Sequence, residues 1–362
     1  MRASSRKLLL AIIGLGVLGF VAYRARGLFH FGDFSGGKLL HALRDANLFL
    51  LAISVIAIYT CYALRALRWQ VFQQNLGPSR FWAIYAMTLA GFSAVFLLGR
   101  AGEPLRPLLL ARKEKLPVSA MFGIYVLERL FDAASTAVIA AIGLLLFQSH
   151  AQGGETTARL QAAAKTTGLL LFAGVLAAVV MLVYLRLHGS ALLERRLQHV
   201  VSAHGWKAKF ASIVLGFVRG VQTIRSWGQL ALAVLYSTVH WFLVLLVYLW
   251  VSHSFGGRLA SISLSDAMLV LAFTLVGSAV QVPGVGGGSQ AGSIIAYHEI
   301  FGVEMEPAVA AAIVLWLISF AMCTLVGAPL LFREGWSLGE LHHMAEAEKA
   351  AELASAPGEI AE

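Results

Sequence analysis

Two stretches of this sequence combine charged side chains with a spacing that suits recognition of an ionic group. The first is Gly99-Arg100-Ala101-Gly102-Glu103-Pro104-Leu105-Arg106. The second, Glu128-Arg129-Leu130-Phe131-Asp132, lies inside an apolar run that begins near Val118. An ionisable group in an apolar span costs at least about 2.5–3.5 kcal/mol on insertion scales, so it needs a partner, water or a function. On a helix Glu128 and Asp132 are four residues apart and Arg129 and Asp132 three, so Asp132 can lie beside both. One carboxylate is then in excess within that helix, and Arg100 or Arg106 is expected to reach across to it. Two compatible roles are open. The charges can lock the first stretch against the helix. Alternatively, the arginines can hold a lipid phosphate, with the carboxylates setting their position and relaying protonation changes. A planar guanidinium pairs with phosphate oxygens in bidentate fashion, which suits the second role.

A third stretch, Gln281 to Gln290, contains Pro283, Gly284, Gly286, Gly287 and Gly288 and superficially resembles a phosphate-cradling loop. It lacks the GK[ST] ending of a P-loop and sits between apolar limbs, so nucleotide binding is not expected. An unwound backbone at membrane depth is tolerated where protein buries it or water reaches it, and there it can meet a polar headgroup. The simpler role for these glycines is a tight turn with close helix packing. His298-Glu299 lacks the second histidine of a zinc HExxH motif and His240 stands alone in its span, so both are read as structural. Cys61 and Cys323 lie in apolar stretches, where cysteine acts as a small hydrophobe. No metal site, cofactor, disulfide framework or GxSxG elbow is expected, and the chain does not read as an enzyme.

The elements that carry these residues are membrane helices. Of 362 residues 59% are apolar and only 13% charged, and the mean hydropathy is +0.76. An ordinary soluble domain does not need such values. Runs such as Leu8 to Tyr23, Asn47 to Leu64, Gly168 to Leu185, Leu230 to Val251 and Ala308 to Phe332 are each long enough to cross a hydrocarbon core. The first follows Arg2, Arg6 and Lys7 without a convincing small-residue cleavage site, and is read as a retained helix. The net charge of +9 is spread between apolar runs, which points to anionic lipid headgroups and away from nucleic acid.

Lysines and arginines are retained on the cytoplasmic side during insertion. They segregate best if the N-terminus, the segments holding Arg65, Arg68 and Arg80, Arg100 to Lys115, Arg186 to Arg225, and the C-terminal tail are all inside. Phe81 to Leu98 then cannot cross fully. It becomes the first limb of a re-entrant hairpin bending near Gly99 to Pro107. Leu264 to Phe301 forms a second hairpin entering from outside. The expected fold is all-α, with about six full spans plus two oppositely inserted hairpins; eight spans is the alternative. A transmembrane domain over 1–335 contains an amphipathic cytoplasmic segment at 186–228, and 336–362 form a short cytoplasmic tail.

The two charged motifs resemble those of the lysylphosphatidylglycerol synthase transmembrane region, a flippase-like family that also occurs without its cytosolic transferase. The matching residues are Arg100, Gly102, Glu103 and Arg106, then Glu128, Arg129 and Asp132, followed by a glycine-rich turn and final span over Pro283 to Gly327. Only a short tail follows Phe332, so aminoacyl transfer by this chain is not expected. The family's glutamate after the turn is here Gln290, and an arginine of its last helix is replaced near Trp316.

The resemblance implies movement of an anionic or polar-headed membrane lipid between leaflets of a bacterial-type cytoplasmic (inner) membrane. With no ATP-binding motif, uphill transport would require an ion gradient; otherwise the activity is scrambling. Two alternatives are an accessory subunit that binds lipid for a partner lipid-modifying enzyme, and a membrane enzyme using Glu128 or Glu103 as general base.

Overall fold

The computed structural model describes residues 35–77, 80–147, 155–188, 226–282 and 286–335. The first apolar run, most of the amphipathic segment, Pro283, Gly284 and the tail lie outside the described residues. Five helical stretches are long and apolar enough to cross a membrane: Leu48–Gln73, Phe81–Leu98, Val118–Leu146, Trp227–Ser254 and the continuous Met305–Arg333. This is an all-α, multi-pass membrane architecture.

After a short helix α1 (Gly36–Asp45), α2 (Leu48–Gln73) starts at Asn47, whose side chain accepts the amides of Phe49 and Leu50. The Asn47 amide donates to the Ser254 carbonyl at 2.7 Å, which ties the start of α2 to the end of α7 (Trp227–Ser254). At the other end the Asn75 and Gln229 amides bond to each other at 3.1 and 3.3 Å. The two helices therefore run antiparallel over the full 26-residue length of α2, about 39 Å. Their ends define an Asn47 side and an Asn75 side for everything else.

The first hairpin follows α2 and opens to the Asn75 side. It consists of α3 (Phe81–Leu98), a 3-10 turn at Gly99–Gly102 and α4 (Leu105–Glu114). Gly99 turns the chain with φ +67°, a conformation glycine adopts without penalty. A Cβ on Gly102 would fall 2.3 Å from the Ala94 carbonyl oxygen, and one on Gly91 would fall 2.5 Å from Arg106 Cβ. The return limb is thus seated on glycines. At its open end Arg80 and Glu114 pair at 3.5 Å. Helix α5 (Val118–Leu146) follows, packed on α6 (Glu155–His188).

The second hairpin opens to the Asn47 side, because it follows the end of α7. Helix α8 (Leu264–Gly277) is capped by Ser263 and Asp266. A two-residue ladder, β1 (Gln281–Val282) with β2 (Gly286–Gly287), turns the chain into α9 (Gly288–Ile295). The limbs touch backbone to backbone: a Cβ on Gly292 would lie 2.2 Å from the Phe273 carbonyl oxygen, and Thr274 and Ser293 share a 2.7 Å hydroxyl bond. Helix α10 (Met305–Trp316), a π-helical turn at Leu317–Ala321 and α11 (Cys323–Arg333) then cross back. Glu306 at their start accepts from the Ser35 amide, and Lys113 pairs with Glu334 just beyond their end. The two hairpins enter from opposite sides, as the charge pattern predicts.

One expectation is corrected. Arg65 and Arg68 do not lie in a cytoplasmic segment: α2 continues through them to Gln73, and both are buried. Two apolar cores result. One gathers Tyr62, Leu245, Tyr248 and Tyr297, the other Trp69, Phe72, Leu110 and Ile124. The charged residues lie between them.

The glycine contacts give a direct test. Gly102→Ala and Gly327→Ala, the latter facing the Leu89 carbonyl at 2.2 Å, should each destabilise the purified protein by about 1–3 kcal/mol in thermal unfolding. Gly123→Ala meets nothing within 4 Å and should be neutral or stabilising.

Candidate functional site

Arg65, Arg68 and Trp69 stand at i, i+3 and i+4 on α2, so one helix face presents two guanidiniums and an indole N–H. Helix α5 opposes that face with Glu128 and Asp132. Arg65 Nη1 donates to Asp132 Oδ2 at 2.7 Å and Glu128 Oε1 at 3.1 Å. Arg68 Nη2 donates to Asp132 Oδ1 at 2.8 Å and Glu128 Oε1 at 3.0 Å. Two arginines thus clamp two carboxylates crosswise. Trp69 Nε1 donates to Glu128 Oε2 at 2.7 Å, and Trp241 Nε1 of α7 donates to Asp132 Oδ1 at 3.3 Å. Arg68 also donates to Ser237 of α7 at 2.9 Å.

The first hairpin adds Arg106, whose Nη1 donates to Glu128 Oε2 at 2.7 Å. This is the cross-element contact that the sequence leads one to expect. Arg106 stacks over Trp69 at 4.5 Å and over Phe92 at 5.2 Å, with Thr88 on its other amino group. Arg129 completes the group. Its Nη2 lies 3.3 Å from Asp132 and 3.7 Å from Glu128, and its guanidinium lies over Tyr125, whose hydroxyl bonds Glu103.

The charge balance inverts the expectation from α5 alone. Sequence reasoning leaves a carboxylate in excess there; in the fold, four guanidiniums surround two carboxylates, a formal surplus of two positive charges. Glu128 is 0% exposed and Arg68 1%, whereas the Arg129 side chain is 40% exposed. The Nε–H groups of Arg68, Arg106 and Arg129 are buried without a partner. Cationic donors here outnumber their acceptors, and burying uncompensated charge is costly, so an added anion would be stabilised. An anion can approach along Arg129, the one cluster arginine with a substantially open side chain.

The remaining candidates divide. Gly102 is packed on α3, Glu103 is bonded to Tyr125, and Arg100 contributes backbone to the bend while its side chain lies outside the described residues. Gly286, Gly287 and Gln290 form the tip of the second hairpin, where Gln290 Oε1 accepts the Gly287 amide at 2.6 Å. That tip is linked to the cluster by α3. Phe92 faces Arg65 and Arg106; one turn on, Phe96 meets Trp316 at 5.7 Å between ring centroids, and the Trp316 indole nitrogen abuts Gly286.

The fold and this cluster define a multi-pass helical membrane protein built around a buried cationic core. A family model for the lysylphosphatidylglycerol synthase TM region matches residues 8–327, and the chain belongs to that family. No curated protein and no solved structure matches the chain. Gln290 and Trp316 both pack against Gly286.

Removing one member of the cluster should cost according to burial. Asp132→Ala leaves Arg65 and Arg68 sharing Glu128 alone and should destabilise by about 3–5 kcal/mol or abolish folded yield. Arg129→Ala removes a partly solvated arm, and should cost under about 1 kcal/mol in the same unfolding measurement.

Proposed function

We propose that this protein is a lipid translocase of a bacterial-type cytoplasmic membrane, moving a polar-headed, anionic lipid between leaflets. The observation that carries the reading is the buried surplus of guanidinium charge with an open arm at Arg129. A lipid phosphate bound there would supply the missing negative charge and accept from the free N–H groups, with Arg129 as the first contact and Arg106 behind it. Glu128 and Asp132 act as positioning groups: they hold the four arginines at a spacing that like charges alone would not keep.

The opposed hairpins support movement as well as binding. Each opens to its own end of the bundle, and both approach Trp316, one through Phe96 and the other through Gly286. A headgroup entering at the cluster would need only the tips to part, while its acyl chains stay in lipid. The Asn75 side, which carries Arg80, Arg112, Lys113 and Lys115, is assigned to the cytoplasm by the positive-inside rule, with both termini there. A lipid-modifying enzyme is the expected partner, supplying the lipid that is moved.

The test is transfer of labelled phospholipids in liposomes carrying purified protein. Wild type should move an anionic phospholipid. Arg129→Gln should slow it at least about tenfold with unchanged thermal stability, because one charge-assisted phosphate contact is worth about 1.5–3 kcal/mol. Arg129→Lys should recover part of the rate, since a lysine keeps the charge but not the fork. Equal rates in all three would refute headgroup binding at the cluster. Lipid that co-purifies without moving would identify an accessory subunit instead.

A further inference from the structure

Two of the buried polar atoms that make no hydrogen bond lie together in one turn of the last span, away from the arginine cluster. They are Trp316 Nε1 and Ser319 Oγ. Three residues apart, they share a helix face. That face is formed where the helix is wound as a π-turn, the Met322 amide reaching back to the Leu317 carbonyl at 2.9 Å. Single π-turns inside α-helices recur at functional sites.

Against the same face stand Gly286, with φ +85°, and the Gln290 amide from the second hairpin, and Phe96 from the first. A Cβ on Gly286 would lie 2.4 Å from the indole nitrogen and 2.6 Å from both Gln290 amide atoms. Gly286 therefore packs directly on the unmet indole N–H, with Ser319 three residues further along the same helix face. Neither the indole N–H nor the hydroxyl makes a hydrogen bond in this packing, so burying them carries a cost that apolar side chains would not.

We propose that this is a second binding station, occluded in this conformation, for the uncharged and hydroxyl-rich part of a lipid headgroup such as a glycerol or sugar. An indole N–H can only donate, so its ligand must carry an acceptor. A hydroxyl accepts from Trp316 and exchanges a bond with Ser319. A headgroup ending in an alkyl group would leave both unmet, and a site built for a hydroxyl discriminates against the analogue that lacks it. No acidic or basic side chain among the described residues of Leu317–Ala321, Gly286–Gln290 or Val95–Leu98 contributes here, so the selection is not by charge. The station rests on the translocase reading for its place in a transfer path, but its ligand chemistry stands independently.

Two probes of equal charge separate the terms: phosphatidylglycerol, and phosphatidylethanol, which keeps the phosphodiester and lacks the hydroxyls. In liposome transfer, wild type should prefer phosphatidylglycerol by at least about fivefold. Trp316→Phe and Ser319→Ala should each erase most of that preference, read as the ratio of the two transfer rates, with thermal stability unchanged. No preference in wild type, or a preference kept in both variants, overturns the station. If neither probe moves, the translocase reading fails. Competition of the two lipids for protein in nanodiscs, read by native mass spectrometry, then decides the station alone, with equal binding counting against it.

Discussion

Everything in this structure is arranged around one electrostatic problem: Glu128 and Asp132 are buried in the middle of a helix bundle, where unpaired carboxylates would be untenable. The solution is crosswise pairing to Arg65 and Arg68, backed by the indoles of Trp69 and Trp241. That pairing fixes the rotation of α2 against α5 and brings α7 in through Ser237 and Trp241. It also gives the first hairpin a place to dock through Arg106. The solution overshoots, however, and leaves cationic donors unpaired. The proposed headgroup binding rests on that surplus.

The hairpins show a second constraint, that of backbone proximity. Where limbs must fold back inside a helical bundle, side chains are excluded at the contact, and glycine or a small hydroxyl residue takes the position. Gly91 and Gly102 do this for the first hairpin, Gly277, Gly288 and Gly292 for the second, and Gly327 seats α11 on Ser93 and the Leu89 carbonyl of α3. The result is two rigid wedges whose tips face each other across Trp316, with the arginine cluster reached along α3 from one and the glycine-rich turn belonging to the other.

Much of this was legible in the sequence. Apolar run length announced the spans Leu48–Gln73, Trp227–Ser254 and Met305–Arg333. The basic residues on both flanks of Phe81–Leu98 announced a limb that returns, and the Glu128, Arg129 and Asp132 spacing announced an internal pair with a contact to Arg106. The part missed was Arg65 and Arg68. The positive-inside rule counts basic residues between apolar runs as loop residues, and it ended α2 at Leu64. A countersignal was present: Ala66, Leu67, Trp69, Val71 and Phe72 continue the apolar face past the arginines, and arginines at i and i+3 with tryptophan at i+4 make one polar stripe on a continuing helix. Charge balance could not be judged from α5 alone, because the partners come from a helix about 60 residues earlier in the chain. The proximity of Trp316 to Gly286 was equally beyond reach, since it depends on how the last span crosses the second hairpin.

The most direct test of the central claim is an experimental structure of the protein in nanodiscs containing an anionic phospholipid. The account predicts a lipid phosphate seated against Arg129, within hydrogen-bonding reach of its guanidinium, with Glu128 and Asp132 still clamped by Arg65 and Arg68. A cluster closed on itself, with ordered lipid phosphates only at the bilayer surface, would contradict it and leave the four arginines as a structural lock.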